Sequence, residues 1–322
     1  MAKKNFRIGL DIGGTKILAG AVNAAGRLVA SAKARTVIDE GERYFFNTVT
    51  ELVRHVMDEA KISACDIAGI GAGCPGVINA DDNIVVHSPN IPFLDGYPLG
   101  RRLEKEFGVK AAVENDVNMG LYGEYCFGAA KGRRYVAGFF LGTGIGGALI
   151  LDGKLYRGFS GAAGEFGHIC LEYNGPACGC GNRGCLEALV ARLAVSGEAA
   201  VLAARGKAPA LLAKAGTDLR AMKSGVLAKA VQADAEVREL VKFKARQLGL
   251  AMGTVVNIID PEMIVLGGGM IEALGDVILP EAVKGMKAHA LSVLAKNVQV
   301  VPAKLGDLAA VMGAARMAAD RE

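Results

Sequence analysis

Tryptophan is absent from this chain of 322 residues, and aromatic residues make up only 6% of it. Its core must therefore consist mainly of aliphatic side chains. No apolar run approaches the roughly 18 residues that a membrane-spanning helix needs. The N-terminal residues lack the apolar stretch of a secretory signal peptide. These absences predict a cytoplasmic protein that does not enter a membrane.

Concentrated positive charge is missing as well. The net charge is +4, and basic residues gather only in short clusters such as Lys131, Arg133 and Arg134. Nucleic-acid binding requires basic residues collected on one face, so no nucleic-acid partner is expected. Hydrophobic residues make up 52% of the chain, which predicts a folded protein. At about 100–200 residues per domain, the length suggests two domains.

Glycine, by contrast, is abundant at 44 residues, and it marks two similar segments. Residues 6–22 and 135–151 each read as a strand, a glycine-rich reversal and a second strand. They begin roughly 130 residues apart, a spacing that indicates a duplicated domain rather than a solenoid. Helical and strand patterns alternate after both segments. This arrangement predicts an α/β protein with a mixed sheet in each half.

The segment between Ala199 and Ala233 is rich in Ala and Lys and only weakly periodic. Helical propensity without a clear apolar stripe favours helices on the surface of the second half. We expect no chemistry from this segment.

A glycine-rich turn at residues 11–16, the first glycine loop, is a candidate for phosphate binding. Gly13 and Gly14 leave successive backbone N–H groups bare, and such groups form a nest for anions. Thr15 adds a hydroxyl donor and Lys16 a positive charge, while Asp11 offers a carboxylate for hydrated Mg²⁺. An ordinary hairpin turn explains these residues equally well, so both interpretations stay open here.

The second glycine loop, residues 142–147, resembles the dinucleotide-binding fingerprint only loosely. That fingerprint requires a helix after the loop, whereas a strand pattern follows here. A Walker A motif is absent from the sequence. Two equivalent Gly/Thr hairpins, one in each half, are instead suited to clamping a triphosphate across a cleft. The candidate residues of this loop are Gly142, Thr143, Gly144 and Gly146.

A third glycine run comprises Gly267, Gly268 and Gly269. It follows a strand pattern and precedes a helical one, so an adenine ring could lie flat against its backbone. A tight strand-to-helix turn explains the run almost as well.

Three cysteines, Cys178, Cys180 and Cys185, lie within eight residues, and His168 precedes them. Clustered cysteines in a cytosolic chain indicate metal binding more than disulfides. Three thiolates and one imidazole form a closed tetrahedral set that is typical of structural zinc. Buried free thiols are the alternative, but the segment is rich in glycine and poor in apolar neighbours. We therefore predict a structural Zn²⁺ held by these four residues.

Asp116 lies at a strand-to-helix junction, where ligand crevices open in α/β sheets. A carboxylate at such a crevice is suited to act as a general base toward a bound ligand. The same residue is equally suited to cap the helix that follows. The local sequence leaves both roles open.

Together these motifs resemble the ROK sugar kinases of the actin–hexokinase superfamily, and they are most like the bacterial ATP-dependent glucokinases of that family. The resemblance covers nearly the whole chain in the right order, and the zinc signature is its most specific part. The motifs are Asp11–Lys16, Gly71–Gly76, Ser88–Asn90, Glu114–Asn118, Gly142–Gly147, Gly164–His168, Cys178–Glu187 and Gly267–Gly269.

The resemblance implies an α/β fold of duplicated actin-like ATPase (ribonuclease H-like) domains, with mixed sheets and a cleft between them. The expected N-terminal domain is residues 1–117, and the C-terminal domain with the zinc loop is residues 118–305. A C-terminal helix at about residues 306–322 is expected to pack back on the first domain. The family further implies a homodimer or homotetramer.

The resemblance also implies that ATP with Mg²⁺ phosphorylates a hexose at its 6-hydroxyl, with glucose the first choice. Asp116 is then the base that takes the hydroxyl proton. Because His168 is also a zinc ligand, the metal is expected to hold part of the sugar pocket in place. The implied sugar-binding residues are Gly73, Asn90, Asn115, Asp116, Glu165, His168 and Glu187.

Other activities share most of these motifs. A kinase for N-acetylmannosamine or N-acetylglucosamine is the nearest alternative, followed by a fructokinase or allose kinase. Sugar-responsive repressors of the family carry a helix-turn-helix before the first glycine loop, and the strand pattern near Phe6 is expected to leave no room for one. A non-catalytic actin-like assembly protein would need neither the zinc loop nor Asn115 and Asp116.

Overall fold

The computed structural model describes residues 5–320, and the chain divides into two compact units. Unit 1 comprises Met1–Gly132, Leu155–Ala163 and Asp307–Glu322, and unit 2 comprises Arg133–Lys154 and Gly164–Gly306. The chain thus returns briefly to unit 1 before the zinc loop and ends there. This division places residues 118–132 and 155–163 in unit 1, whereas the predicted C-terminal domain begins at residue 118.

Unit 1 is built on a five-stranded sheet with helices packed against it. Its strands are β1 (Phe6–Ile12), β2 (Lys16–Asn23), β3 (Leu28–Arg35), β4 (Ile67–Cys74), β5 (Val77–Asn79), β6 (Ile84–His87) and β7 (Lys110–Asn115). Its first helices are α1 (Gly41–Ala60), α2 (Leu99–Phe107) and α3 (Asp116–Phe127). The sheet has the order β3-β2-β1-β4-β7, and β5 and β6 form a separate hairpin.

Unit 2 repeats the design with more helices. Its strands are β8 (Val136–Leu141), β9 (Ile145–Leu151), β10 (Lys154–Leu155), β11 (Met263–Gly267) and β12 (Gln299–Pro302). Its helices are α4 (Leu186–Val190), α5 (Arg192–Ala204), α6 (Pro209–Ala215), α7 (Ser224–Ala233), α8 (Ala235–Ile259), α9 (Gly269–His289) and α10 (Ser292–Ala295). A last helix, α11 (Ala309–Asp320), belongs to unit 1. None of the helices within residues 5–320 is both long and apolar enough to cross a membrane.

The two sheets have the same pattern of strand directions. In unit 1, β1 pairs with β2 antiparallel and with β4 parallel, and β4 pairs with β7 parallel. In unit 2, β8 pairs with β9 antiparallel and with β11 parallel, and β11 pairs with β12 parallel. The glycine-rich reversals that the sequence singles out are the β1–β2 and β8–β9 connections. The predicted α/β fold with a mixed sheet in each half is confirmed.

The helical and strand patterns of unit 1 follow from burial of apolar side chains. On β1, Ile8 and Leu10 have no exposed surface, and on α1 the helically spaced Phe45, Val49 and Val53 are buried against the sheet. Burying such a side chain contributes about 1.5–3 kcal/mol, so this apolar face holds α1 on the sheet. The sequence pattern predicts both elements to within one or two residues.

The expectation that residues 199–233 form surface helices is wrong in its second part. The segment is helical, but Leu211, Met222, Leu227 and Val231 have no exposed surface and belong to the core of unit 2. Many of the remaining buried positions are alanines, which have small side chains and pack closely between helices. Alanine gives little contrast in hydrophobicity, so the apolar stripe is hard to recognise in the sequence.

Helix α11 packs directly against the backbone of the unit 1 sheet. A Cβ atom at Gly71 of β4 would lie 1.9 Å from the Ala314 carbonyl oxygen, and one at Gly9 of β1 would lie 1.9 Å from the Val311 carbonyl oxygen. Both neighbours are backbone atoms of α11, which cannot move aside like a flexible side chain. These two glycines are therefore required for the close approach of α11.

We expect Gly71→Ala to destabilise unit 1 by about 2–3 kcal/mol, because the added methyl group must push α11 away from the sheet. Thermal unfolding measures the effect as a fall of several degrees in the midpoint. Gly197→Ala on α5 is the matched control: a Cβ there meets no atom within 4 Å, so we expect a neutral or slightly stabilising effect. Equal midpoints for the two variants would contradict this account of α11.

Candidate functional site

Two carboxylates meet at one edge of the unit 1 sheet. The parallel strands β1, β4 and β7 end at the same edge, and their register places Asp11 opposite Gly73 and Gly73 opposite Glu114. Asp116 follows β7 as the first residue of α3. The two carboxylates of Asp11 and Asp116 are close enough for each charge to oppose the other. This edge is where ligands bind in α/β folds.

Asn115, rather than Asp116, caps α3. The Asn115 Oδ1 accepts hydrogen bonds from the backbone N–H groups of Val117 (2.9 Å) and Asn118 (3.1 Å), and its Nδ2 donates to the Gly76 carbonyl (3.1 Å). The interpretation of Asp116 as the helix cap is therefore wrong, because the preceding residue occupies that position. Asp116 accepts from the Val117 N–H at 2.9 Å, which orients its carboxylate at the first turn.

An ion pair beneath this junction, between buried Glu114 and half-buried Arg157, is not among the features that the sequence predicts. The Glu114 side chain has no exposed surface, and its Oε2 accepts a hydrogen bond from Arg157 Nε. Its Oε1 accepts from Asn118 Nδ2 (3.0 Å) and from the Asn115 N–H (2.9 Å). A fully paired carboxylate of this kind fixes the backbone that carries Asp116. The only sequence signal is a glutamate at the end of an apolar strand, because Arg157 lies 43 residues away.

The electrostatics of this edge oppose ionisation of Asp11 in the metal-free protein. Burial, followed by the nearby Asp116 charge, raises the pKa of Asp11 to about 7, although Lys16 opposes the rise. Lys16 itself pairs with Asp307 at 2.6 Å on the surface. Asp307 also raises the Asp11 pKa slightly. A cation bound beside this carboxylate would favour its charged form.

We expect Asp11→Asn to stabilise the metal-free protein above pH 7. The pKa of Asp11 is about 7 in the folded protein and 3.8 in the unfolded chain. The wild type therefore loses stability as the pH rises from about 4 to 7, because the folded state opposes ionisation of the carboxyl. An Asn side chain does not ionise, so the variant does not lose this stability. The gain is about 2–3 kcal/mol, less than the full shift because the carboxyl keeps some contact with solvent. Urea unfolding without Mg²⁺ at pH 4 and pH 8 measures it. A gain that does not grow with pH would contradict the shifted pKa.

The first glycine loop is a tight, well-bonded turn. The Gly13 N–H donates to the Lys16 carbonyl at 2.9 Å, and the Thr36 hydroxyl donates to the Gly13 carbonyl at 2.6 Å. Gly14 lies beside Asn90, since a Cβ on Gly14 would be 3.4 Å from the Asn90 Cβ. Thr15 is exposed. The loop, Asn90 and the two carboxylates are thus parts of unit 1.

The predicted sugar contact Gly73 has a packing role in this structure. A Cβ atom there would lie 3.3 Å from the Asp116 Cα and 3.3 Å from the Met119 side chain. The missing side chain therefore lets the start of α3 lie directly on β4. This closeness is what brings Asp116 to the end of β1, next to Asp11.

The second and third glycine loops lie at the matching edge of the unit 2 sheet. Strands β8 and β11 are parallel, with Gly267 opposite Phe140, so the loops that follow them are neighbours. Gly268 has φ +86° and forms the N-cap of α9. The second loop turns tightly, with the Gly142 N–H donating to the Gly144 carbonyl at 2.9 Å. Both loops present backbone N–H groups at a strand end or helix start, where anions bind readily.

One residue of α4 and the first residue of α5 hold the second glycine loop. Glu187 Oε2 accepts from the Ile145 N–H at 2.9 Å. An Arg192 side-chain nitrogen donates to the Thr143 hydroxyl oxygen at 3.0 Å, and the Arg192 backbone N–H donates to the Gly142 carbonyl at 3.1 Å. Glu187 is one of the predicted site residues, whereas Arg192 is not, because it belongs to no recognisable motif.

The four predicted metal ligands come together in unit 2. One donor atom from each of His168, Cys178, Cys180 and Cys185 lies within 4.8 Å of the other three. The Cys180 and Cys185 sulfurs are 3.8 Å apart, and the Cys178 sulfur is 3.8 Å from His168 Nδ1. Sulfur ligands 2.3 Å from a tetrahedral zinc would be about 3.8 Å apart. The donor types and their spacing therefore fit such an ion.

The loop that carries these ligands is shaped by its backbone. The Cys178 N–H donates to the Asn182 carbonyl at 2.8 Å, and the Leu171 N–H donates to the Gly184 carbonyl at 2.8 Å. Gly184 has φ +68°, and a Cβ there would collide with the Glu172 carbonyl oxygen, so only glycine fits. A rigid loop of this kind presents its sulfurs in a fixed arrangement.

The thiols of the cluster have unequal proton affinities. Burial, followed by contacts with the neighbouring thiols, raises the pKa of Cys185 to about 12. A hydrogen bond from the backbone of Asn182 lowers the pKa of Cys180. A metal ion must displace the thiol protons to bind, so the affinity of this cluster for a metal should increase with pH.

Two predicted sugar-binding carboxylates border this cluster. Glu165 Oε2 lies 3.9 Å from His168 Nε2, and Glu187 Oε1 lies 3.9 Å from the Cys178 sulfur. Partial burial raises the pKa of Glu165, while His168 opposes the rise and Glu187 adds to it. Unit 2 thus brings Glu165, His168 and Glu187 together around the metal-ligand loop.

Comparison with known proteins covers the chain almost from end to end. A sequence profile of the ROK family matches residues 7–321. A glucokinase from Thermotoga maritima is 30% identical over 314 residues, which are 98% of this chain and 97% of that protein. The crystal structure of a ROK family glucokinase from Streptomyces griseus, in complex with glucose and AMPPNP, is 30% identical with a TM-score of 0.82, and the match covers 98% of this chain and 99% of that chain.

A transcription factor is also among the similar proteins. The xylose repressor of Bacillus subtilis is 27% identical over 318 residues, which are 99% of this chain but only 78% of the repressor. About a fifth of the repressor therefore lies outside the match, whereas the glucokinase matches leave almost nothing out.

Proposed function

Because the chain belongs to the ROK family, we propose that it is an ATP-dependent hexose kinase that phosphorylates glucose at the 6-hydroxyl. The observation that supports this most is the pair of carboxylates at the edge of the unit 1 sheet. A phosphoryl transfer to an alcohol needs one carboxylate as base and another for the metal that accompanies ATP. Glucokinases aligned over nearly their whole length add support from sequence.

We propose that Asp116 is the catalytic base. It takes the proton of the 6-hydroxyl as the oxygen forms a bond to the γ-phosphorus, and the bond from that phosphorus to the β-phosphate bridging oxygen breaks to release ADP. Asn115 caps α3 and the Glu114–Arg157 pair holds the backbone beneath, so the Asp116 carboxylate is oriented before substrate binds. Such pre-orientation supplies part of the rate enhancement.

The phosphate-binding residues in this proposal are the three glycine loops and the side chains near them. Backbone N–H groups of the first and second loops, with Thr15, Thr143 and Lys16, would bind phosphate oxygens. Asp11 would hold hydrated Mg²⁺, which neutralises the charge that develops on the phosphates. The Gly267–Gly269 loop would carry the adenine. Glu165, His168 and Glu187 of unit 2, with Asn90 and Asn115 of unit 1, would bind the sugar hydroxyls.

We also propose that the Cys₃His cluster binds structural Zn²⁺. The donor types and the 3.8 Å spacings support zinc over a harder cation, which would prefer oxygen ligands. With four protein ligands the ion has no open position, so its contribution is to fix the loop that carries His168 and precedes Glu187. A cytoplasmic location and a homodimeric or homotetrameric assembly stay predictions.

The test is a coupled assay of ATP consumption over a panel of hexoses, with and without Mg²⁺. We expect the highest kcat/KM with glucose and turnover only with Mg²⁺, and product analysis should locate the phosphate on the 6-position. A clear preference for N-acetylmannosamine or N-acetylglucosamine would show that the substrate is that amino sugar and not glucose. ATP consumption that ignores sugars would overturn the proposal.

A further inference from the structure

Arg192 is a cation at the second glycine loop that no motif accounts for. Its side chain donates to the Thr143 hydroxyl oxygen at 3.0 Å and to the Met222 carbonyl at 3.3 Å. Its own backbone N–H donates to the Gly142 carbonyl at 3.1 Å. One residue therefore binds two consecutive residues of the loop, from the start of α5.

The hydrogen bond to Thr143 decides the direction of the threonine hydroxyl. A guanidinium group has donors only and stays charged at every physiological pH, so Thr143 must be the acceptor in this contact. The hydroxyl proton then points away from Arg192 and is available to a third group. Thr143 is exposed in the loop that follows β8, where an anionic oxygen is a suitable acceptor for its proton.

The charge of Arg192 has no ion-pair partner among the residues that the structure describes. Its two side-chain acceptors are a hydroxyl and a carbonyl. The side chain is half-buried, so its charge is screened less than that of a surface arginine. A half-buried cation with no ion-pair partner among the described residues attracts anions, although the Glu187 carboxylate, which accepts from the Ile145 N–H of the same loop, opposes this attraction.

We infer that Arg192 is a nucleotide-positioning residue, which holds the Thr143 hydroxyl as an outward donor and adds positive charge for the phosphates of ATP. The inference rests on the proposed function, because it assumes that the second glycine loop binds phosphate. The hydrogen bond from Arg192 to the Met222 carbonyl is a separate, structural contact. The Ser196 hydroxyl also donates to that carbonyl at 3.1 Å, so the carbonyl keeps a partner when Arg192 is replaced.

The test is calorimetric titration of ADP with Mg²⁺, and of glucose, into the full-length protein and its variants. We expect Arg192→Met to weaken ADP binding about tenfold, Arg192→Lys to weaken it less because charge is kept, and Thr143→Val to weaken it severalfold. The double variant should bind ADP about as weakly as Arg192→Met alone, because the two residues act through one contact. Glucose affinity should stay within about twofold of wild type.

Arg205→Met is the matched control, since Arg205 is an exposed arginine at the other end of α5. The inference would be overturned if Arg192→Met bound ADP as tightly as the wild type. It would also be overturned if the loss of ADP affinity in the double variant equalled the product of the losses in the two single variants. Equal losses for ADP and glucose with a lower unfolding midpoint would do the same, because they indicate a purely structural role. If the wild type itself binds no ADP, the proposed function fails. If the wild type binds ADP and Arg192→Met binds it equally well, only the inference about Arg192 fails.

Discussion

Replacing Asp116 with Asn is expected to lower kcat by about 10³-fold while leaving the fold and glucose binding nearly intact. A general base contributes roughly 10²–10⁴ to the rate, and an amide cannot take up the hydroxyl proton. The change is nearly isosteric, and the Val117 N–H can still donate to the amide oxygen. Steady-state kinetics with saturating ATP measures kcat, and calorimetric titration measures glucose affinity.

The stability of this variant should differ little from that of the wild type. Loss of a negative charge at the first turn of α3 costs up to about 1 kcal/mol, and relief of repulsion with Asp11 offsets part of that cost. Asp39→Asn, at an exposed position in unit 1, is the control for removing a carboxylate. If the Asp116→Asn protein keeps more than about a tenth of wild-type kcat, Asp116 is not the catalytic base.

Replacing Cys185 with Ser is expected to abolish zinc binding and to lower activity at the same time, by at least about 10-fold. Cys185 is 1% exposed, and a hydroxyl in its place is a poor zinc ligand. Without the ion, the loop that carries His168 and leads into Glu187 loses its anchor, and changes in metal-site support typically cost at least 10–100-fold in activity. Elemental analysis should give about one zinc per wild-type chain and almost none in the variant.

Cys170→Ser is a sharp control for this experiment. Cys170 pairs with Cys185 in an isolated β-bridge, yet it lies outside the four-ligand cluster. We expect this variant to retain zinc and activity. Loss of zinc in Cys170→Ser, or full activity in a zinc-free Cys185→Ser protein, would contradict the assigned ligand set or its structural role.

The Asp11 carboxylate lowers the stability of the folded protein and is also proposed to be needed for activity. Its raised pKa means that the ionised form destabilises the folded protein above pH 7, and Asn at this position removes the penalty. The same carboxylate is the proposed Mg²⁺-binding group. We therefore expect the Asp11→Asn protein to be more stable without Mg²⁺ and far less active with it.

The sequence by itself determined the elements of the fold and the chemical identity of the site. Alternating apolar residues, helical spacing and glycine-rich reversals are local patterns, so they predicted the repeated sheet design and the loops at strand ends. The set of one histidine and three cysteines is equally local: three members lie within eight residues and the fourth shortly before them. Residue chemistry and short spacing were sufficient for these features.

Only the tertiary structure decided which residues support the site. Arg157 reaches Glu114 over 43 residues, Arg192 reaches Thr143 over 49, and Lys16 reaches Asp307 over 291. It also decided that Asn115 rather than Asp116 caps α3, and that the alanine-rich helices after Ala199 belong to the core. For the long-range pairs and the buried helices the physical reason is the same. Such contacts depend on which distant backbones pack together, and no local pattern of residues carries that information.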